Sequence, residues 1–336
     1  MGDLNPNIID DSVLQIEMHG ITDKYNRTFK VLRVSVINRC NLGCMYCTEH
    51  GDDAAALRTN QKSGNLPAAE LSSIIVALHK LLDLETVRLT GGEPLLYPEL
   101  PEIIKGIIRA GIADISLTTN GLLLDRKADE LYEAGLQSVN ISLDAIDRDV
   151  FFTVNKRDSL DKVLRGVDAA ISAGLNVKLN AVILKGINDN QVIPLMEFAR
   201  SKNIVIRFLE VMAMGHLHKD PWKYFFGQQQ ILHAIGGNYS FMPMTREAAS
   251  TANYWITDQN QKFGIIANES SPFCHDCNRL RLDSEGRLFG CLSSNNGIDA
   301  RNLNKEQLID ALKSALAQKQ SLKFIGSELS MLQIGG

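Results

Sequence analysis

Residues 33–47 read RVSVINRCNLGCMYC, a stretch in which a β-strand pattern runs directly into a group of cysteines. The strand is predicted over residues 32–37, where β-branched residues are frequent. The cysteines follow with the spacing C-x3-C-x2-C, and they are Cys40, Cys44 and Cys47. Three thiolates on one tight loop can hold three irons of a cubane cluster and leave the fourth iron open to another ligand. In α/β barrels and open sheets, a loop at the carboxyl end of a strand lies where ligands bind.

Two other interpretations of this triad stay open on spacing alone. A structural zinc site needs a fourth ligand, for which His50 is the nearby candidate. Structural zinc sites usually pair two short C-x2-C arms, which this stretch lacks. Redox-active thiols are the second alternative.

The remaining cysteines form a second triad near the end of the chain. Its spacing is C-x2-C-x13-C, and its members are Cys274, Cys277 and Cys291. All six cysteines therefore fall into two groups of three, a pattern that disfavours a disulfide framework and indicates metal binding. The cytosol keeps thiols reduced, which agrees with this interpretation.

The composition is that of an ordinary globular protein, since 45 % hydrophobic and 22 % charged residues argue against a disordered chain. No apolar run approaches the ~20 residues that span a bilayer, and the acidic start lacks the features of a signal peptide. A formal net charge of −4 gives no general attraction to nucleic acid or anionic membranes, so local cations must bind any anionic substrate. We therefore expect a cytoplasmic protein with no membrane and no nucleic-acid partner.

From residue 33 to residue 209 the chain alternates short β-rich runs with stretches of helical period. After Pro67, for example, apolar residues recur with the 3.6-residue spacing of a helix. Such alternation predicts βαβ units around a parallel sheet. At about 30 residues per unit this segment holds about six, whereas a closed barrel needs eight. The predicted strands are residues 32–37, 86–89, 112–118, 138–143, 177–184 and 205–209.

The alternation stops after residue 210, and no clear period follows until a late helix that Asn304 and Gln307 cap. The predicted fold class is therefore α/β, an incomplete (β/α)6 TIM-like barrel with an irregular C-terminal domain. We place the barrel at residues 24–232 and the second domain, built around the later cysteines, at residues 233–336.

The first triad resembles the cluster motif of the radical S-adenosylmethionine (SAM) superfamily, including an aromatic residue before the last cysteine. Residues 90–94, Thr-Gly-Gly-Glu-Pro, match the family's GGEP motif at the end of the second strand. The resemblance implies a [4Fe–4S] cluster whose open iron binds SAM, and a SAM-derived radical that abstracts a substrate hydrogen. Paired glycines allow a close backbone approach or a positive φ, and Glu93 could bind an ammonium group. The implied SAM-binding residues are Tyr46, Gly91, Gly92, Glu93, Ser142 and Met212.

The second triad resembles a narrower family, the GTP 3′,8-cyclases of molybdenum cofactor biosynthesis. It lies in the sequence CHDCNRLR at residues 274–281, with Cys291 further on. The resemblance implies a second [4Fe–4S] cluster, carried by the C-terminal domain, whose open iron binds guanine. It also implies that arginines contact the nucleotide and that the C-terminal double glycine reaches into the active site. The catalytic residues predicted in this way are Arg279, Arg281, Gly335 and Gly336.

The same resemblance implies how GTP is bound. A triphosphate needs several cations in one pocket, and arginine suits phosphate because its planar fork donates paired hydrogen bonds. Thr86 and Tyr97 depart from the family, which often has a lysine at the first position and usually an arginine at the second. The loop with His216 and His218 departs too, and we expect it to be solvated rather than to bind metal. The implied GTP-binding residues are Arg33, Arg88, Thr119, Lys178, Arg207, Arg279 and Arg281.

These features predict a radical SAM GTP 3′,8-cyclase that converts GTP to 3′,8-cyclo-7,8-dihydroguanosine 5′-triphosphate in the first step of molybdenum cofactor (molybdopterin) biosynthesis. The resemblance also implies a flavodoxin- or ferredoxin-type electron donor, a homodimer, and transfer of the product to a downstream cyclic pyranopterin synthase. Two alternatives stay open. One is a paralogous radical SAM enzyme that acts on another nucleotide or a peptide, and the other is a non-catalytic iron–sulfur or zinc protein.

Overall fold

The computed structural model describes residues 20–48 and 64–335, whose strands form one twelve-stranded sheet. The strands are β1 (Val31–Ser35), β2 (Thr86–Thr90), β3 (Asp114–Thr119), β4 (Ser138–Ser142), β5 (Asn176–Ile183), β6 (Val205–Glu210), β7 (Phe241–Pro243), β8 (Asn253–Thr257), β9 (Lys262–Ile266), β10 (Arg279–Leu282), β11 (Arg287–Phe289) and β12 (Ile298–Asp299). Their order is β12-β11-β10-β1-β2-β3-β4-β5-β6-β9-β8-β7. From β10 through β1–β6 to β9 all neighbours are parallel, whereas the outer strands pair antiparallel.

Helices connect the parallel strands β1 to β6, and further helices follow β6. They are α1 (Ala68–Leu82), α2 (Leu100–Arg109), α3 (Leu124–Glu133), α4 (Arg148–Asn155), α5 (Leu160–Ser172), α6 (Val192–Ser201), α7 (Gln228–Gly236), α8 (Lys305–Ala317) and α9 (Met331–Ile334). The helix predicted after Pro67 is confirmed, and so is the late helix. In the capping box of α8, Asn304 Oδ1 accepts a hydrogen bond from the Gln307 N–H at 2.9 Å. Within the described ranges, no helix has the length and apolarity needed to cross a membrane.

The predicted fold class is confirmed, because β1 to β6 lie side by side in chain order and the sheet ends at β12 and β7 without closing. The sequence did not predict the six strands β7–β12. They are two to five residues long and lie outside the regular alternation of strands and helices on which the other six predictions rest. Two of them widen the barrel, since β10 pairs with β1 and β9 pairs with β6. The division into domains at residues 232 and 233 stays a prediction.

Alternation along the parallel strands separates an apolar face from a polar one. On the apolar face, Leu32, Val87 and Ile115 are fully buried in a core that also contains side chains of α1 and α2. The polar face carries the residues with the chemistry of a site. These are Arg33, Ser35, Arg88, Asn140, Ser142, Lys178, Asn180, Arg207, Arg279 and Arg281.

Candidate active site

The loop after β1 carries the first cysteine triad and is fastened to the end of α4. The Gly43 N–H donates to Asn155 O at 3.1 Å, and the Met45 N–H donates to Val154 O at 2.9 Å. The Cys44 thiol donates to Asn155 Oδ1 at 3.0 Å. The helix that follows β4 therefore sets the position of this triad.

Burial and nearby carboxylates raise the pKa values of the thiols in the first triad. Burial raises the pKa of the Cys40 thiol to about 12 and that of Cys47 to about 11. It also raises the pKa of Cys44 well above its usual range, and Asp144 adds to that effect, as Glu93 does at Cys40. A buried thiolate needs a nearby positive charge, and a metal ligand must be a thiolate. The donor set therefore suits an iron–sulfur cluster, whose irons supply that charge.

A single metal ion has a different requirement. Among the described residues, no three His, Cys, Asp or Glu side chains are grouped to bind one ion. In a cubane each cysteine binds a separate iron instead. His50, considered as a fourth zinc ligand, lies outside the described residues.

The Gly-Gly turn after β2 packs directly under the cysteine loop. The Gly92 N–H donates to Ile37 O and the Glu93 N–H to Arg39 O, each at 2.7 Å. A Cβ added to Gly91 would lie 2.7 Å from Ile37 O, and one added to Gly92 would overlap Arg39 O. Neither glycine has a positive φ. The close approach expected of this motif is thus an approach to the backbone of the cysteine loop.

Glu93 is fully buried and ties together the ends of β2 and β3. It accepts hydrogen bonds from Thr119 Oγ1 at 2.6 Å, from the Asn120 N–H at 2.8 Å and from the Leu95 N–H at 3.0 Å. Burial raises the pKa of its carboxyl group to about 7 against these hydrogen bonds. Asn120 continues the network, because its Nδ2 donates to Asn41 Oδ1 at 2.7 Å in the cysteine loop. The network holds the loop at the mouth of the barrel.

Asp144 fixes the other side of that loop. It is buried, and it accepts hydrogen bonds from the Tyr46 hydroxyl and from the Val182 N–H, each at 2.9 Å. Burial raises the pKa of Asp144 to about 6. Ser142 lies two residues earlier, half-buried at the end of β4. Sequence patterns alone assign Asp144 no role, although it closely follows Ser142, a residue predicted to bind SAM.

A row of cations crosses the polar face of the sheet. Arg281, Arg33 and Arg88 are register neighbours on β10, β1 and β2. Arg279 lies two residues before Arg281, on the same face of β10. Across the barrel, Lys178 and Arg207 come from β5 and β6 on the same face, where Arg207 is a register neighbour of Asn180. The structure thus brings all six predicted cations to one face.

Neighbouring cations make one another's charged forms less favourable. Burial, followed by Arg281 and Arg88, holds the pKa of Arg33 well below its usual range. Burial lowers the pKa of Arg281 to about 10. Burial lowers the pKa of Lys178 and of Arg207 as well, and Arg207 contributes to the shift of Lys178. Clustered like charges with shifted pKa values are typical of a functional site.

These cations lack carboxylate partners. Over the described ranges, none of the six forms an ion pair. Arg207 is oriented by neutral amides instead, because its Nη2 and Nε donate to Asn140 Oδ1 at 2.6 Å and to Asn180 Oδ1 at 2.9 Å. A cluster of partly buried cations without ion-pair partners on the described part of the chain suits an anionic ligand.

The C-terminal tail reaches the space between the triads. Gly335 is so close to β1 and β2 that an added Cβ would lie 2.9 Å from Ser35 Cβ and 3.0 Å from Thr90 Cγ2. Its carbonyl oxygen accepts a hydrogen bond from Arg281 Nη1. Leu332 in α9 also packs against the Gly-Gly turn, because a Cβ added to Gly92 would lie 2.5 Å from Leu332 Cδ1. Gly336, the other tail residue predicted to be catalytic, lies outside the described residues.

The second triad lies where β10 begins and β11 ends. The Cys277 N–H donates to Cys274 O at 3.3 Å, and Cys291 follows β11. Burial raises the pKa of the Cys274 thiol to about 11. Burial also acts to raise the pKa of Cys277, but Arg279 and Lys319 outweigh it and lower the value to about 6. Lys319 was missed from the sequence, because nothing in its neighbourhood along the chain marks it.

Comparison with known proteins adds family evidence to this geometry. Residues 34–199 match the radical SAM superfamily, and residues 204–324 match the molybdenum cofactor synthesis C family. A GTP 3′,8-cyclase of Synechocystis is 37 % identical over 94 % of this chain and 95 % of its own length. One from Aquifex aeolicus is 37 % identical over 86 % of this chain and 90 % of its own. The chain belongs to the GTP 3′,8-cyclase family.

Solved structures agree on the fold of this family member. Streptococcus suis SuiB bound to S-adenosylmethionine superposes with a TM-score of 0.64 at 15 % identity, covering 92 % of this chain and 71 % of SuiB. The enzyme anSMEcpe with bound AdoMet gives a TM-score of 0.58 at 14 % identity, covering 87 % of this chain and 81 % of that protein. Identities this low show the fold alone.

The positions that depart from the cyclase family have structural partners here. The Tyr97 hydroxyl donates to Leu66 O at 2.9 Å, and Thr86 Oγ1 donates to Asp114 Oδ2 at 2.7 Å. The expectation of a solvated histidine loop is wrong for His216. Its ring is half-buried, and its Nε2 lies 3.0 Å from Met45 O in the cysteine loop. This loop therefore braces the first triad.

Proposed function

We propose that this chain is a radical SAM GTP 3′,8-cyclase that makes 3′,8-cyclo-7,8-dihydroguanosine 5′-triphosphate from GTP at the start of molybdenum cofactor biosynthesis. The observation that carries the proposal is the partly buried row of cations on the sheet face between two cysteine triads, which form no ion pair with any described residue. Such a pocket suits a ligand with several negative charges, and a nucleoside triphosphate has them.

Cys40, Cys44 and Cys47 would hold the first [4Fe–4S] cluster, and Cys274, Cys277 and Cys291 the second. When it is bound, the first cluster supplies the electron that cleaves SAM to a radical able to take hydrogen from C3′ of the ribose. The residues proposed for SAM are those of the cysteine loop, the Gly-Gly turn and the strand ends nearby. They are Tyr46, Gly91, Gly92, Glu93, Ser142 and Met212.

The cations would bind the triphosphate and ribose. Arg33, Arg88 and Arg281 present three guanidinium groups side by side, which suits paired hydrogen bonds to phosphate oxygens. Lys178 and Arg207 approach from the far side of the barrel, so the substrate is held from two directions. Thr119, also proposed for GTP, donates its hydroxyl hydrogen to Glu93, and its oxygen accepts a hydrogen bond from the Gly121 N–H at 3.1 Å. Holding GTP at both ends fixes C3′ near the radical, which is an orientation effect.

The tail and the second triad complete the pocket. The contact of Arg281 with Gly335 places the C-terminal tail against the cation row. Arg279 and Arg281 lie two and four residues after Cys277. This closeness supports one ligand whose base is held at the second triad and whose phosphates are held by the row. We assign Arg279, Arg281, Gly335 and Gly336 to the reaction on this ground.

The experiment is an anaerobic incubation of the reconstituted chain with SAM, a reductant and GTP, followed by mass spectrometry. We expect 5′-deoxyadenosine and the cyclised nucleotide in equal amounts. Formation of 5′-deoxyadenosine with GTP unchanged would overturn the cyclase assignment and favour a paralogue acting on another nucleotide or a peptide. Zinc in place of iron would favour a structural metal protein instead.

The partners are part of the same proposal. A one-electron donor of the flavodoxin or ferredoxin type, a cyclic pyranopterin synthase as the next enzyme, and a homodimer follow from family membership. A cytoplasmic location, where thiols stay reduced, suits two clusters ligated by cysteine. Light scattering of the reconstituted chain tests the dimer directly.

A further inference from the structure

Lys319 is a buried lysine at the second cysteine triad. It lies two residues after α8, and only 2 % of it is exposed. Its Nζ donates to Cys277 Sγ at 3.2 Å and to Arg279 O at 3.0 Å. The same ammonium group lies 5.0 Å from the ring centroid of Phe29, just before β1. A single side chain thus connects a predicted cluster ligand, the first residue of β10 and the entry to β1.

This charge has no carboxylate to balance it. Lys319 forms no ion pair within residues 20–48 and 64–335. Burying an ammonium group is costly unless an opposite charge or hydrogen-bond acceptors lie beside it. The aromatic face of Phe29 and the Arg279 carbonyl offset part of that cost. Among the described residues, the group in contact with Nζ that can carry a full negative charge is the Cys277 sulfur, as a thiolate ligand.

We propose that Lys319 is a positioning residue of the second cluster, where its fixed positive charge orients the Cys277 thiolate and raises the cluster's reduction potential. The inference rests on the proposed assignment of a cluster to Cys274, Cys277 and Cys291. The potential of an iron–sulfur cluster depends on its net charge, on hydrogen bonds to its sulfurs and on its exposure. A buried cation in contact with one ligand sulfur stabilises the more negative, reduced form.

The contact with Arg279 O extends the effect to the substrate side. Arg279 and Arg281 leave the triad on the same strand, and both belong to the cation row. By holding that strand and the ligand sulfur together, Lys319 sets the distance between the cluster and the arginines. Side chains that contact a metal ligand, rather than the metal itself, generally orient that ligand and tune the metal.

The test compares Lys319→Met and Lys319→Gln with Lys323→Met in the reconstituted full-length chain. Met keeps a side chain of similar length that packs well against Phe29, and Gln keeps an N–H donor but loses the charge. Lys323 is exposed, so its substitution removes the same charge a few residues away. Iron content and the midpoint potential, followed by electron paramagnetic resonance, are measured in each chain. The same measurements in a Cys40→Ala/Cys44→Ala/Cys47→Ala background isolate the second triad.

We expect both Lys319 variants to keep their iron and to shift the potential of the second cluster to more negative values, with Lys323→Met unchanged. Unchanged potentials in iron-replete Lys319 variants would overturn the inference and leave the cluster assignment standing. Absence of iron from the background chain with Lys319 intact would instead overturn the cluster assignment. If both neutral variants lose iron, the Lys319→Arg chain shows whether the positive charge is required. Iron retained in that chain supports a required positive charge, and iron lost from it refutes one.

Discussion

The two cysteine triads place the same ligand type in opposite electrostatic surroundings. At the first, Glu93 and Asp144 add to burial and raise the pKa values of Cys40 and Cys44. At the second, Arg279 and Lys319 outweigh burial and lower the pKa of Cys277 to about 6. Cysteine spacing therefore locates both sites, but the charged groups around each triad make them different.

The difference in surrounding charge agrees with a division of roles between the two triads. Negative neighbours disfavour extra negative charge on a cluster, which suits a first cluster that passes its electron on to SAM. Positive neighbours stabilise negative charge, which suits the proposed second cluster and its proposed binding of one end of an anionic nucleotide. Both statements follow from the dependence of cluster potential on surrounding charge.

Loss of a single ligand from each triad is the strongest test of this division. Cys44→Ala should abolish formation of 5′-deoxyadenosine, whereas Cys277→Ala should retain SAM cleavage and abolish conversion of GTP. Each variant should lose about half of the iron if each triad holds one cluster, as proposed. Metal analysis and mass spectrometry of the products measure these outcomes. A Cys277→Ala chain that still cyclises GTP at the normal rate would remove the second triad from the reaction.

Substitution within the cation row should separate binding from stability. Arg33→Leu removes a charge-assisted contact worth about 1.5–3 kcal/mol, so GTP should bind about 10–100-fold more weakly. The ligand-free chain should become more stable, because Arg33 lies between Arg281 and Arg88 and is destabilised by both. Calorimetric titration with GTP and thermal unfolding measure the two effects.

Arg200 supplies the matched control, since it is exposed and paired with Glu197. Arg200→Leu should change GTP affinity little. Equal GTP affinities of the Arg33→Leu chain and the unsubstituted chain would contradict a role for the row in phosphate binding.

A smaller and pH-dependent effect is expected at the anchor of the first triad. The pKa of Asp144 is about 6 in the folded chain, above its ordinary value of 3.8. Burial of this carboxyl therefore destabilises the folded chain when the group is ionised. The destabilisation is absent below pH 3.8, grows as the pH rises and is complete above about pH 6. Tyr46→Phe removes a hydrogen bond that favours the carboxylate and raises this pKa further. The added cost, about 1–3 kcal/mol, should therefore develop above about pH 6.

Urea unfolding on both sides of that pH measures the difference. Tyr132→Phe is the control, because the Tyr132 side chain is 51 % exposed. A Tyr46→Phe penalty of equal size at low and high pH would show that Asp144 does not carry the effect.

The sequence predicted the parts of this molecule that depend on local pattern. Strands β1–β6 show clear β-rich runs, and cysteine spacing is itself local. The row formed by Arg281, Arg33 and Arg88 follows only when β10 is placed beside β1, and β10 lies outside the regular alternation of strands and helices. Lys319 lies 42 residues from the sulfur that it contacts. Such contacts arise from the tertiary fold. Family resemblance therefore predicted the arginines, whereas no feature of the sequence predicted Lys319.

Substitution of Tyr97 should give the smallest effect. It tests whether this departure from the cyclase family affects GTP binding or only the stability of the fold. Its hydroxyl donates to Leu66 O ahead of α1, and its ring is buried. Tyr97→Phe leaves that carbonyl without this donor, so the free energy of unfolding should fall by about 1 kcal/mol. Neither triad touches this hydrogen bond, so iron content and GTP affinity should both stay unchanged. A weaker affinity for GTP in this variant, with its iron retained, would place Tyr97 in the substrate pocket and extend the cation side of the site beyond the arginine row.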